Sequence, residues 1–314
     1  MKLTHIRDVL AVAEFGSLRA AGRHLGIAQP AVTRSIHEIE RELGVSLFER
    51  HARGVRLTTV GKAFLRRAEA VQCELRRATE EIEQLKGHST GQVSIALSSA
   101  SSIALMPSIL PAFRKRYPDS LLKISESLFQ AVEPEIQDGE IDFYVGPLDP
   151  SISTTHFLVE RLFDNNRVVA ARKGHPLESA RTLKEIADAE WVRATLSTRS
   201  NEMMRGIDDD VDAMFEAQGL CPPKIVLQAR SALATLLAVA HTDLLAILPQ
   251  QWLESPLTAD RLVGLQLFEL LPAAPVCIVR RHDMPLTPMA EHLCDLVRRA
   301  GVNYAYKRLA RAAA

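Results

Sequence analysis

At 314 residues the chain exceeds one ordinary domain, so two or three are expected. Its 47% hydrophobic and 24% charged residues are ordinary for a globular protein, and no run of about 18 apolar residues offers a membrane span. The formal net charge is zero but uneven: residues 1–86 carry 15 Lys and Arg against 11 Asp and Glu, the remainder 23 against 27, a sign that suits nucleic-acid contact by the N-terminal part alone. The polar and charged start, Met1 to Asp8, lacks the apolar core of a secretory signal, which predicts a cytoplasmic protein. Cys73, Cys221, Cys277 and Cys294 are scattered without clustered His; reduced thiols are expected, and neither a zinc site nor a disulfide framework.

The first helix is expected to bury Ile6, Val9, Leu10 and Ala13 and to end at Gly16. Ser17 is a natural N-cap for a second helix carrying Leu18, Ala20, Ala21 and Leu25, closed by Gly26. After a tight turn, Pro30 opens a third helix, where its missing N–H costs nothing. Val32, Ile36, Ile39 and Leu43 form that helix's buried stripe, leaving Gln29, Pro30, Thr33, Arg34 and His37 on the other face near its start. In a helix-turn-helix these positions reach base edges in the major groove. Gln suits adenine, Arg suits guanine, and a Thr methyl suits thymine. Glu38, Glu40 and Glu42 further along would repel DNA, which confines contact to the first two turns. Two short extended pieces around Ala52-Arg53-Gly54 then read as a wing whose Arg50, Arg53 and Arg56 suit phosphate or the minor groove.

From Thr59 to Lys86 there is no proline, and Phe64, Ala68, Val71, Leu75, Ala78, Ile82 and Leu85 alternate at spacings of 4 and 3. That heptad seam predicts a coiled-coil dimerisation helix, broken by Gly87-His88-Ser89-Thr90-Gly91. A paired helix would hold two reading heads on a partly palindromic operator. Beyond it, strands are expected at Val93–Leu97, Leu121–Ser125, Ile141–Val145, Arg167–Ala171, Trp191–Ala194, Ile225–Leu227, Leu244–Leu248 and Val276–Val279, separated by helices. This alternation predicts a parallel α/β architecture in which two open sheets clamp a ligand at their strand ends. Hydroxyls gather there: Ser98, Ser99, Ser101 and Ser102 after the first strand, Thr195, Ser197, Thr198 and Ser200 after the Trp191 strand, and Ser231 at a helix start. Such groups serve as helix caps, and together with helix-start amides they also suit a small carboxylate or sulfonate. There is no Gly-x-Ser-x-Gly elbow, glycine-rich phosphate loop or paired-His spacing, so no catalysis, metal or cofactor is expected.

From Leu3 to Gly87 the chain resembles the LysR-type transcriptional regulators. The resemblance rests on Phe15-Gly16-Ser17-Leu18, Ala20-Ala21, Leu25, Gln29-Pro30-Ala31-Val32, Ile36, Leu43-Gly44, Leu47-Phe48, Arg50, Leu57-Thr58 and Gly61. Later residues match more loosely, through element order and His175-Pro176-Leu177. Ala28 departs from the Ser usual in the family, removing about 1 kcal/mol of capping energy. The resemblance implies a winged helix-turn-helix over residues 1–58, a linker helix over 59–86 and a periplasmic-binding-protein-like effector domain over 87–314. That domain would have one lobe at about 91–162 and 269–303 and another at about 163–268. It implies DNA contacts at Gln29, Thr33, Arg34 and Arg53, to which Ser17 and Arg50 are added. Ser98, Ser99 and Thr195 become pocket candidates, joined by Ser101, Ser197 and Ser231. It further implies a homotetramer that works with RNA polymerase under a small effector. Arg76-Arg77-Ala78-Thr79-Glu80-Glu81-Ile82 and its neighbours look like the branch with regulators of aromatic sulfonate or aromatic acid use and of sugar-binding proteins.

Overall fold

The computed structural model of the chain describes residues 1–51, 54–194, 210–269, 271 and 273–312. Two compact units emerge, one built on Met1–His88 and the other holding most of Ser89–Ala314.

In the first unit, α1 (Leu3–Phe15), α2 (Leu18–Leu25) and α3 (Gln29–Leu43) each stop at a left-handed glycine, Gly16, Gly26 and Gly44. Only glycine takes that conformation without a Cβ penalty. Ser17 caps α2, its hydroxyl accepting from Ala20 N; Ala28 provides no side-chain cap for α3. Val9, Val12, Ala21, Val32, Ile36, Ile39 and Leu47 close the core. The buried face of α1 holds Ile6, Val9, Ala11 and Val12, with Leu10 and Ala13 only half-buried, because α1 packs against α2, α3 and a later helix rather than along one seam. β1 (Phe48–His51) and β2 (Gly54–Leu57) then pair antiparallel as a hairpin.

Thr58 caps α4 (Thr59–Leu85) by accepting from Gly61 N at 2.9 Å. Its 27 residues span about 40 Å at 1.5 Å each. Phe64 reaches the core of the first unit, whereas Val71, Leu75, Ile82 and Leu85 of the heptad seam stand 40, 45, 53 and 69% exposed in the single chain.

The second unit has two lobes. The first holds β3 (Gln92–Leu97), β4 (Leu121–Glu126), β5 (Phe143–Pro147), β6 (Phe157–Phe163) and β12 (Val276–Arg281), ordered β4-β3-β5-β12-β6. β3 runs parallel to β4 and β5, but β12 runs antiparallel to both β5 and β6. The sheet is therefore mixed, not parallel as the alternation suggested. The reason is topological: β6 leads out to the second lobe and β12 comes back from it, so β12 enters from the opposite end. On one face Ile95 and Leu97 meet Leu105, Ile109 and Phe113 of α5 (Ser99–Arg116) and Leu293 and Val297 of the last helix, Pro288–Ala312. On the other, Tyr144 packs with Phe129 and Ile136 of α6 (Phe129–Gln137) and with Phe157.

In the second lobe β7 (Arg167–Arg172) lies between β10 (Ala246–Pro249) and β11 (Leu262–Gly264), antiparallel to both. β8 (Glu190–Ala194) and β9 (Lys224–Ala229) form a parallel pair, joined to this group by a bridge from Trp191 to Leu245. Helices α7 (Asp210–Ala217) and α8 (Ala232–His241) cover them, and Trp191 meets Phe215 edge-on at 5.7 Å. Strands β6 and β11 and the short helix α9 (Gln251–Glu254) were not anticipated. Ile103 of α5 packs into the second-lobe core with Trp252, Val192 and Leu248, where the two lobes join. The last helix, Pro288–Ala312, is α10.

Candidate nucleic-acid interface and effector site

α3 presents Gln29, Pro30, Arg34 and His37 exposed and Thr33 half-buried, and together with Glu38 and Arg41 they line one open concave face. Thr33 donates its hydroxyl to Gln29 O at 3.0 Å, so the polar end of that side chain is already satisfied by the helix. Arg34 and Arg41 have no ion-pair partner among the described residues.

The three glutamates of this helix, read above as repellent, are each engaged elsewhere. Glu38 lies 3.3 Å from Nε2 of the buried His5 on α1. Glu42 pairs with the Met1 amine, whose hydrogen bond holds the carboxyl below its ordinary range. Glu40 Oε1 accepts from two backbone amides, Leu47 N at 2.7 Å and Phe48 N at 3.1 Å, at the entry to the hairpin. Glu40 and Glu42 are thus turned towards the protein's own donors, while Glu38 stays on the open face beside Arg34 and Arg41.

The hairpin is the wing. Val55 N donates to Gly16 O at 3.0 Å. Gly54 permits this approach: its φ is +141°, and a Cβ there would fall 2.3 Å from Gly16 O. Arg50 and Arg56, on paired strands, are exposed and without an ion-pair partner among the described residues. Arg53 lies outside the described residues. Ser17 is half-buried, and its hydroxyl serves the α2 cap.

In the second unit Ser98 is the N-cap of α5. Its Oγ accepts from Ser101 N at 3.1 Å and lies 2.9 Å from Ser101 Oγ. Ser98, Ser99 and Ser101 are all buried at the carboxyl end of β3. Beneath them sits Tyr144, fully buried, donating its hydroxyl to Pro147 O at 3.2 Å. Burial pushes that phenol well above the ordinary tyrosine range, so it stays protonated. Gly146 makes room: a Cβ there would come 2.1 Å from the Tyr144 hydroxyl and 2.9 Å from Ser98 Cβ. Sequence reading missed this pair because nothing in the order Tyr144-Val145-Gly146 reveals that the ring's hydroxyl curls back to its own strand.

Ser231 stands at a separate helix start on the other lobe, exposed, capping α8 through Ala234 N at 3.4 Å. No hydrogen bond joins it to the Ser98 cluster among the described residues. Thr195 and Ser197, with Thr198, Arg199 and Ser200, lie outside the described residues. Cys277 and Cys294 are buried, which raises both thiols, Cys294 to about 12; Cys221 is exposed and Cys73 half-buried, and all four are free. Among the described residues no three His, Cys, Asp or Glu side chains are grouped to hold a metal, and no helix is long and apolar enough to cross a membrane.

Residues 3–62 match the family described as bacterial regulatory helix-turn-helix protein, lysR family, and residues 86–301 match the LysR substrate binding domain. The chain is 27% identical over 305 residues to the HTH-type transcriptional regulator GbpR of Azospirillum brasilense, covering 96% of this chain and 86% of that protein. It is 25% identical over 297 residues to TdcA of Escherichia coli K12, covering 95% and 92%. Among solved structures, full-length CbnR complexed with its target DNA aligns with a TM-score of 0.68 at 20% identity, over 96% of this chain and 100% of that one.

Proposed function

The chain belongs to the LysR family of bacterial transcriptional regulators, and from that premise we propose how its residues divide the work of reading DNA and sensing an effector. It is a DNA-binding transcriptional regulator with an effector-binding domain. Residues 1–58 form the reading head, 59–86 the dimerisation helix and 87–314 the sensing domain. Gln29, Pro30, Thr33, Arg34 and His37 enter the major groove. Ser17, Arg50 and Arg53 hold the backbone beside it. One observation supports this most: Arg34 and Arg41 of α3 have no ion-pair partner among the described residues, while Glu40 and Glu42 are engaged by donors of the protein itself.

Two copies pair along the exposed α4 seam, and pairs of dimers form a tetramer on the operator. The working compartment is the cytoplasm and the downstream partner is RNA polymerase, as the family premise implies. The effector is a small carboxylate or sulfonate held between the lobes, by Ser98, Ser99 and Ser101 from one side and Thr195, Ser197 and Ser231 from the other. Amides at the starts of α5 and α8 favour such a charge. The relatives carry names of regulators, and the chain acts by binding rather than by turnover.

Footprinting upstream of the chain's own gene tests the DNA assignment. Arg34→Ala removes a bidentate reader and is expected to cost about 1–3 kcal/mol of base discrimination while the dimer stays folded. A protected region unchanged in position and affinity in that variant would defeat the assignment.

A further inference from the structure

Recognition helix and wing are separate pieces of chain, yet a reading head needs them at one fixed spacing. A small cavity of about 60 Å³ lies between them, lined from α3 by Thr33, His37 and Glu40 and from the wing side by Phe48, Arg50 and Val55. Glu40 spans this boundary. One oxygen, Oε1, takes both Leu47 N and Phe48 N, the last amide before β1 and the first within it. The same residue, Leu47, anchors the far end of the hairpin, since its carbonyl accepts from Thr58 N at 2.9 Å. Both ends of the wing therefore converge on a peptide segment that α3 grips through one carboxylate.

The carboxylate is half-buried and has no cation partner among the described residues, so these two amides are what it is there to meet. Hydrogen bonds from neutral amides to a carboxylate are about twice as strong as neutral ones. We propose that Glu40 is a positioning residue that couples wing to recognition helix, so that Arg50 and Arg56 reach the DNA backbone only when α3 sits in its groove. Glu40 never touches DNA itself. This inference rests on the interface reading above.

Coupling of this kind makes a prediction that general destabilisation does not. Each phosphate contact contributes about 0.9 to the slope of log affinity against log salt. In Glu40→Ala, the slope for the full-length protein on a duplex enriched from a random pool is expected to fall by about 1–2 per protomer, with binding at physiological salt weakened roughly tenfold or more. The penalty for changing the bases under α3 should stay as in the wild type. Because a single oxygen accepts both amides, Glu40→Gln retains an acceptor in place and should restore most of the slope. Adding Glu40→Ala to an Arg50→Ala, Arg53→Ala, Arg56→Ala triple variant should lower the slope no further, since the wing contacts are already gone.

Anisotropy titrations over about 50–300 mM KCl, on the enriched duplex and on a random-sequence duplex, measure all of this. A wild-type slope in Glu40→Ala overturns the proposal, and so does a further fall in slope on the triple-variant background. If the alanine variant does not fold, Glu40→Asp keeps the charge but shortens the arm by one methylene. It should lose the same slope, and an unchanged slope there is equally fatal. Should the wild type itself show no preference among duplexes, it is the interface reading that fails, not the role of Glu40.

Discussion

Acidic residues on a helix meant for DNA invite the conclusion that they limit contact by repulsion. Glu38, Glu40 and Glu42 show that the sign of a side chain says little until its partner is known. Their partners, a buried histidine, two peptide amides and the chain's own amine, all lie seven or more residues away in sequence. No periodicity encodes such pairs. Gly54 is the opposite case: a glycine between basic residues reads directly as the tip of a hairpin, and the structure adds the reason that nothing else fits. Gly54→Ala forces a Cβ onto the Gly16 carbonyl in a backbone region L-residues avoid. It is expected to lower the stability of the reading head by about 1–3 kcal/mol, read from its urea midpoint. An unchanged midpoint would mean that the wing does not need this backbone.

Among the elements, most helices and strands were legible, including the edge strands β4 and β10, but β6, β11 and the short helix α9 were not. The capping Ser17, the terminal glycines and a 4–3 apolar spacing mark α1 to α4 within a residue or two of their bounds. β6 escaped because Leu158 and Val159 are exposed beside Glu160 and no alternation survives. β11 is three residues long, too short for any pattern to register. Ser98 was legible as a helix start, but its neighbours Tyr144 and Gly146 belong to another strand and become visible only after β3 and β5 pair. The α4 seam is where sequence and structure make the same demand, since four large apolar side chains at heptad spacing stay open to water in one copy. Leu75→Glu with Ile82→Glu places like charges across the paired seam. Sedimentation should show its dissociation constant rising by about 100-fold, some 2.7 kcal/mol. A wild-type mass at low concentration would remove α4 as the pairing element.

For the whole molecule, the sensing role makes a thermodynamic demand. A ligand held between lobes stabilises the folded second unit by mass action, about 2.7 kcal/mol at a hundred times its dissociation constant. In a chain of this size that is a shift of several degrees, at about 2–4 °C per kcal/mol. Screening aromatic carboxylates and sulfonates by thermal melt is expected to find such a shift, and Ser98→Ala with Ser99→Ala to abolish it. A flat response across a broad anion library would argue against the anionic effector.

Strand order in the first lobe also bears on how the chain is made. β12 lies between β5 and β6, so β6 has no neighbour until residues 276–281 have left the ribosome. The reading head, residues 1–58, is complete more than half a chain earlier. During synthesis each molecule therefore passes through a stage in which a folded DNA-binding head trails an open sheet with two exposed borders. A ribosome that stalled or terminated before Val276 would release that intermediate as a product. Such a product would keep the reading head and α4 but lack β12, the strand that joins β6 to the rest of the sheet, so a late nonsense allele of this gene is expected to be dominant rather than silent.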